Sequence, residues 1–181
     1  IAWAWKAGGA IKGENNVMID GVGSTMVDSG LDTGDITPTA MSVNTKAGFS
    51  IVKYQGAGTS NPSTIPHGLN KPLDFYIVKS LDNDRIWEGW HNTFTVSNYI
   101  QFNDSGKLTH ADAWGSVPTS STFGVNNSDN ANIQNENYIA YCWHSVPGYS
   151  SFGEVANLNT ETFVYLGFKP AFVMLKRSNT N

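Results

Sequence analysis

Tyr138-Ile-Ala-Tyr-Cys-Trp143 is the stretch that decides the fold. Residues 139, 141 and 143 are bulky and apolar, whereas residues 140 and 142 are small. An alternation with a period of two places the two sets on opposite faces of a β-strand. The one cysteine, Cys142, stands where a second copy of the stretch has Ala4, so it is predicted to be a small side chain and not a reactive thiol.

The same pattern occurs twice in the chain, and so does a second one. Ile1-Ala-Trp-Ala-Trp-Lys6 matches Ile139-Ala-Tyr-Cys-Trp-His144 at an offset of 138, which is 139 minus 1. Phe75-Tyr-Ile-Val-Lys79 matches Phe172-Val-Met-Leu-Lys176 at an offset of 97, which is 172 minus 75. Internal repeats of this kind mark repeated structural units, so we expect a piece of a longer repeat protein.

The order of the repeats predicts four segments. They are a closing strand of a preceding repeat (residues 1–6), an extended insert or inter-module arm (7–48), a complete β-sandwich module (49–144), and a linker with the opening strands of a following repeat (145–181). The insert is rich in turn residues. Only Val17-Met-Ile19 and Met41-Ser-Val43 look strand-like within it, so a small β insertion packed on a neighbour is the alternative.

Short apolar and aromatic runs separated by turn clusters fill the central module. They lie at residues 49–54, 75–79, 85–87, 93–96, 99–102, 122–125 and 138–143. No window carries a sustained apolar stripe with the 3.6-residue period of a helix. Strands at this spacing are typical of sandwiches and barrels, so the predicted fold is an all-β, antiparallel β-sandwich.

The bulk composition argues against two classes of partner. Charged residues make up 14% of the chain and the formal net charge is −4, whereas nucleic-acid binding needs a basic surface. No apolar run approaches the roughly 20 residues of a membrane helix. The sequence therefore predicts neither a nucleic-acid partner nor a membrane span.

An aromatic cluster is the main candidate ligand site. Trp87, Trp90 and His91 lie close together in sequence, and exposed aromatic rings beside polar groups are typical of sugar-binding surfaces. Glu88 and His91 would supply the polar partners in this interpretation. The commoner arrangement of such residues is a strand with core aromatics and a hydrogen-bonded histidine, and it stays open here.

Calcium is the weaker ligand hypothesis. Asp82, Asn83 and Asp84 contain oxygens that suit Ca²⁺, and so do Asp28, Asp32 and Asp35. Neither group has the twelve-residue calcium-loop pattern with its closing glutamate, and Asx residues form ordinary turns. No cofactor is therefore predicted, with Asp82 and Asp84 kept as calcium candidates.

Other titratable residues carry no recognisable catalytic signature. The histidines at 67, 91, 110 and 144 show no metal-ligand spacing, which favours a turn-bonding role for His67. Glu88, Glu136, Glu154 and Glu161 lie outside any glycosidase motif. We therefore expect a protein that is not an enzyme.

Three long motifs resemble one family. Residues 42–54, 138–152 and 163–177 are similar to the repeated lectin-like domain of tailed-phage virion proteins, especially of marine phages. The resemblance implies a concanavalin-like jelly-roll sandwich in a tail fibre or another structural component of the virion. It supplies no catalytic residue that would carry over to this chain.

The expected function is a virion module for assembly and host-surface adhesion. Its expected partners are further copies of itself, as a trimer, other virion proteins and a host-surface glycan. The expected location is the surface of the virion. A free glycan-binding lectin or a polysaccharide depolymerase domain is the alternative.

Overall fold

The computed structural model describes residues 5–58, 60–102, 107–126, 128–155 and 161–178. Within these ranges the protein is all-β, as the alternation predicts. The strands are β1 (Val17–Ile19), β2 (Val22–Ser24), β3 (Ala40–Asn44), β4 (Phe49–Gln55), β5 (Ser63–Pro66), β6 (Phe75–Ser80), β7 (Glu88–His91), β8 (Asn98–Gln101), β9 (Lys107–Thr109), β10 (Thr122–Val125) and β11 (Asn137–Trp143). The described residues include no helix long and apolar enough to cross a membrane.

One large sheet dominates the architecture. Its nine strands follow the order β2-β1-β3-β4-β11-β6-β7-β8-β9, and β5 pairs with β10 in a separate two-stranded sheet. β11 occupies the middle and pairs antiparallel with β4 and β6. The sheet is mixed and not purely antiparallel, because β1 and β3 run parallel.

The core lies between the large sheet and the β5–β10 pair. Tyr54 and Tyr76 project from the large sheet and are fully buried. The ring of Tyr76 lies 5.0 Å from that of Phe123 on β10 and 4.9 Å from that of Trp114. Its hydroxyl donates to the carbonyl of Gly124 at 3.1 Å, which satisfies the buried polar group. Two packed β layers are consistent with the predicted sandwich, whereas the jelly-roll topology remains a prediction.

The alternation in β11 assigns faces as the sequence predicts. Tyr138, Ala140 and Cys142 are fully buried on the core side. Tyr141 lies on the other face and is half-buried. Burial raises the pKa of the Cys142 thiol far above its ordinary value, so this cysteine is a packing residue.

Residues 17–44 differ from the predicted insert. β3 pairs with β4 over five residues, and β1 continues the same sheet beyond β3. Val17, Met41 and Val43 are buried in the same core as the module. The two runs that the sequence marks as strand-like are β1 and part of β3, and this part of the chain is an extension of the sheet and not an inter-module arm.

The outer face of the large sheet carries a second aromatic layer. The ring of Trp143 stacks on Phe49 at 5.1 Å and on Phe75 at 5.6 Å. Trp5 reaches the ring of Trp143 at 5.9 Å, and Phe152 reaches that of Phe75 at 5.8 Å. Trp5 and Phe152, which lie on either side of the predicted module, therefore both pack on its outer aromatic layer. Residues 161–178, where opening strands were expected, form no regular strand, and residues 1–4 of the expected closing strand lie outside the described ranges.

Candidate functional site

The structure separates the two tryptophans of the predicted aromatic cluster. Trp90 is 4% exposed, stacks on Tyr76 at 5.7 Å and donates its indole N–H to the carbonyl of Thr95 at 3.3 Å. It is a core residue, so it has no ring face to offer to a ligand. The prediction of a shared platform fails because successive side chains of a strand alternate between faces, and residues 87 and 90 are an odd number apart.

His91 serves the turn after β7. Its Nδ1 accepts from the backbone N–H of Thr93 at 3.3 Å and lies 3.0 Å from the hydroxyl of the same residue. Burial lowers the pKa of His91, which favours the neutral ring. The side chain is thus a hydrogen-bonded structural histidine, the alternative that the sequence left open.

Trp87 is the member of the cluster that faces solvent. It precedes β7 on the outer side of the sheet and is 42% exposed. Its ring stacks on the half-buried Tyr141 of β11, with 6.1 Å between ring centroids and 20° between planes. The stacking fixes the indole in one orientation and leaves its other side accessible.

A cleft of about 510 Å³ lies beside this indole. It is lined by Asp84, Arg85, Ile86, Trp87 and Phe102. The backbone N–H of Phe102 donates to the carbonyl of Trp87 at 3.3 Å, which ties the two aromatic walls together.

Gly89 allows the Phe102 wall to lie close to the sheet. A Cβ at residue 89 would stand 3.2 Å from Cγ1 of Ile100 and 3.3 Å from Cε2 of Phe102. These are tighter than ordinary van der Waals contacts, so any larger residue would displace the ring. The glycine is therefore part of the geometry of the cleft.

A bidentate ion pair positions the cation of the cleft. Nε of Arg85 donates to Oε1 of Glu136 at 2.7 Å, and Nη2 donates to Oε2 at 3.0 Å. Arg85, with a smaller contribution from Ser80, lowers the pKa of Glu136 to about 2, and the same pair raises the pKa of Arg85. Glu136 therefore holds the guanidinium in place, and the Arg85 side chain is still 24% exposed.

The calcium candidates have structural partners. The carboxylate of Asp82 accepts from the backbone N–H of Asn137 at 2.7 Å and from its side-chain amide at 2.9 Å. The carboxylate of Asp35 accepts from the backbone N–H and from the hydroxyl of Thr64. The described residues contain no group of three or more acidic, histidine or cysteine side chains that would hold a metal ion. Asp82 is thus a turn residue, and Asp84 lines the cleft.

Glu88 and His67 belong to the interior. Glu88 is 2% exposed, lies on the opposite face of β7 from the cleft and accepts a hydrogen bond from the hydroxyl of Ser128. Burial raises its pKa to about 7. Nδ1 of His67 accepts from the N–H of Leu69 at 3.2 Å, which confirms its turn-bonding role, and burial lowers the pKa of His67 to about 4.

Three residues of the cleft escaped sequence reasoning. They are Arg85, Ile86 and Phe102, and the pairing of β7 with β8 brings Phe102 to the loop that precedes β7. Arg85 alone had a local signal, as a cation two residues before Trp87 in a sequence with few charges.

Comparison with known proteins places the chain in a family. The family model described as "Domain of unknown function (DUF7483)" matches residues 1–181. The chain belongs to this family. The DUF7483 match extends over the central sheet and over the residues on either side of it. No curated protein and no solved structure matches this DUF7483 chain.

Proposed function

We propose that the chain is a module of a phage virion structural protein, located in a tail fibre or another surface appendage. Its role is assembly of that appendage and adhesion to a host-surface glycan. The observation that carries the adhesion role is the exposed Trp87 indole, stacked on Tyr141 beside the charged groups of Asp84 and Arg85. The virion context is supported by the resemblance of the three long motifs.

The chemistry of the cleft suits a sugar. The C–H face of a pyranose ring packs on an aromatic ring, and its hydroxyls need donors and acceptors at the rim. Trp87 and Phe102 supply the apolar walls, Arg85 supplies N–H donors, and the carboxylate of Asp84 supplies acceptors. The ion pair with Glu136 uses two of the five guanidinium N–H groups.

The two key side chains are held in place before any ligand arrives. Trp87 is stacked on Tyr141, and Arg85 is fixed by two hydrogen bonds to one carboxylate. Side chains that are already ordered lose little conformational entropy on binding. A shallow site of this kind thereby retains useful affinity, which repeated modules multiply through avidity.

A glycan array followed by titration of the best ligand tests the proposal. Trp87→Ala should weaken binding by roughly tenfold or more, because truncation of a central aromatic contact costs at least about 1.4 kcal/mol. Tyr149→Ala is the matched control, since Tyr149 is 51% exposed and does not line the cleft. Equal affinity of the Trp87→Ala protein and the wild type would refute the cleft as the adhesion site. Release of reducing ends from a bound polysaccharide would favour the depolymerase alternative.

A further inference from the structure

The charged groups around the cleft do not balance. Arg85 and Glu136 form a neutral pair, because two guanidinium N–H groups donate to the two oxygens of one carboxylate. Lys79 and Asp82, at the end of β6 and in the turn after it, add one charge of each sign. Asp84 is left over, since it is exposed, lines the cleft and makes no hydrogen bond or ion pair with any described residue. The cleft therefore carries one uncompensated negative charge.

The accessible side of the Trp87 indole borders the same cleft as this carboxylate. The face of an aromatic ring is negative and attracts a cation, most strongly when the ring is that of tryptophan. The chain fills one such face itself, because Nζ of Lys107 lies 5.8 Å from the centroid of the Phe94 ring. Among the residues that the structure describes, no lysine or arginine takes that place over Trp87. Trp87 and Asp84 thus both favour positive charge, and neither pairs with a cation of the chain.

Arg85 does not reverse this preference, because its charge is already compensated. Arginine binds an anionic group through charge-assisted hydrogen bonds, and in this chain Glu136 accepts two of them. The N–H groups that remain suit the neutral hydroxyls of a sugar. An acidic sugar would instead meet the free carboxylate of Asp84, and like charges brought together at a binding site cost affinity.

We infer that the cleft selects glycans that contain a free amino sugar, a hexosamine whose ammonium group lies between the Trp87 ring and the carboxylate of Asp84. The inference rests on the glycan adhesion proposed above and specifies the class of sugar. The apolar face of the hexosamine packs on Trp87 and Phe102, and its hydroxyls accept from the free N–H groups of Arg85. Asp84 is then the residue that determines specificity, whereas Trp87 contributes to the binding of any sugar.

Calorimetric titration of the full chain with two matched oligosaccharides tests the inference. A glucosamine oligomer is protonated at mildly acidic pH, and its glucose counterpart has a hydroxyl in place of each amine. At low salt the wild type should bind the charged oligomer at least about fivefold more tightly, and added salt should reduce the difference. Asp84→Asn should abolish the preference and leave the affinity for the glucose oligomer unchanged. Asp32→Asn is the matched control, since it removes the same charge from an exposed position outside the cleft and should keep the preference.

The possible outcomes separate the inference from the proposed function. The inference is overturned if the glucosamine oligomer does not bind, if the two oligomers bind equally, or if Asp84→Asn and Asp32→Asn lose the preference to the same extent. The adhesion site would still stand if Trp87→Ala weakened the binding of another glycan. If Trp87→Ala bound the glucosamine oligomer as tightly as the wild type does, the proposed site and the inference would fail together.

Discussion

Glu88 places a carboxyl group inside an aromatic core, and this gives the protein an identifiable pH dependence. Its pKa is raised from 4.5 to about 7 by burial, so the folded state binds a proton that the unfolded state releases. Stability contributed by this group is complete below pH 4.5, falls as the pH rises towards 7, and is constant above that. His67 acts in the opposite direction, because its pKa is lowered from 6.5 to about 4 and stability rises over that interval.

Glu88→Gln should remove the fall in stability with rising pH that Glu88 causes, and should leave the rise that His67 causes. The free energy of unfolding of the variant, relative to the wild type, should increase between pH 4.5 and pH 7 by up to about 3 kcal/mol, at 1.36 kcal/mol per unit of pKa. Urea titrations at several pH values measure this difference. Glu14→Gln, at an exposed position, should follow the wild type at every pH. If the free energies of unfolding of Glu88→Gln and of the wild type changed with pH in parallel, the prediction would be contradicted.

The tryptophans show how far single residues are predictable. Strand periodicity alone excludes a common face for Trp87 and Trp90, since they are three residues apart. It does not say which of them faces solvent, because that depends on which face of the sheet is covered by a second layer. Trp90 stacks on Tyr76 on the covered face, and Trp87 stacks on Tyr141 on the outer face. The sequence therefore identifies the ligand candidates as a group, and tertiary packing selects one of them.

The strands before β4 show the same limit for whole elements. Repeats identify the segments that are duplicated, and β1 to β3 have no second copy in the chain. β1 and β2 are three residues long, and β1 reaches β3 through a parallel pairing that brings Val17 opposite Met41. The sequence marks β1 and β3 as strand-like, but it does not show that they pair with each other and join the module, because pairing across such a long connection leaves no local pattern.

β1 should prove essential to the module although it lies near one edge. Val17→Asp introduces an unpaired charge at a fully buried position and should cost at least about 3 kcal/mol of stability, enough to unfold a marginally stable domain. Val22→Asp on the neighbouring β2 is the control, since its side chain is 71% exposed and should change stability by less than about 0.5 kcal/mol. Circular dichroism with urea titration measures both. A folded Val17→Asp protein of nearly wild-type stability would mean that residues 17–44 are a dispensable appendage.

One continuous core joins nearly all the described strands, and this decides how the molecule unfolds. The buried cluster runs from Val17 through Tyr76 and Trp114 to Cys142. A division at residue 49 would give two cooperative units, whereas a shared sheet and core give one. We therefore expect the tryptophan fluorescence and the far-UV circular dichroism to follow a single, coincident urea transition.

Tryptophans in the core, such as Trp114, and on the outer face, such as Trp87, both contribute to the fluorescence, so separate unfolding of the two layers would split the curves. Two resolved transitions would show that the sheet is assembled from independent parts.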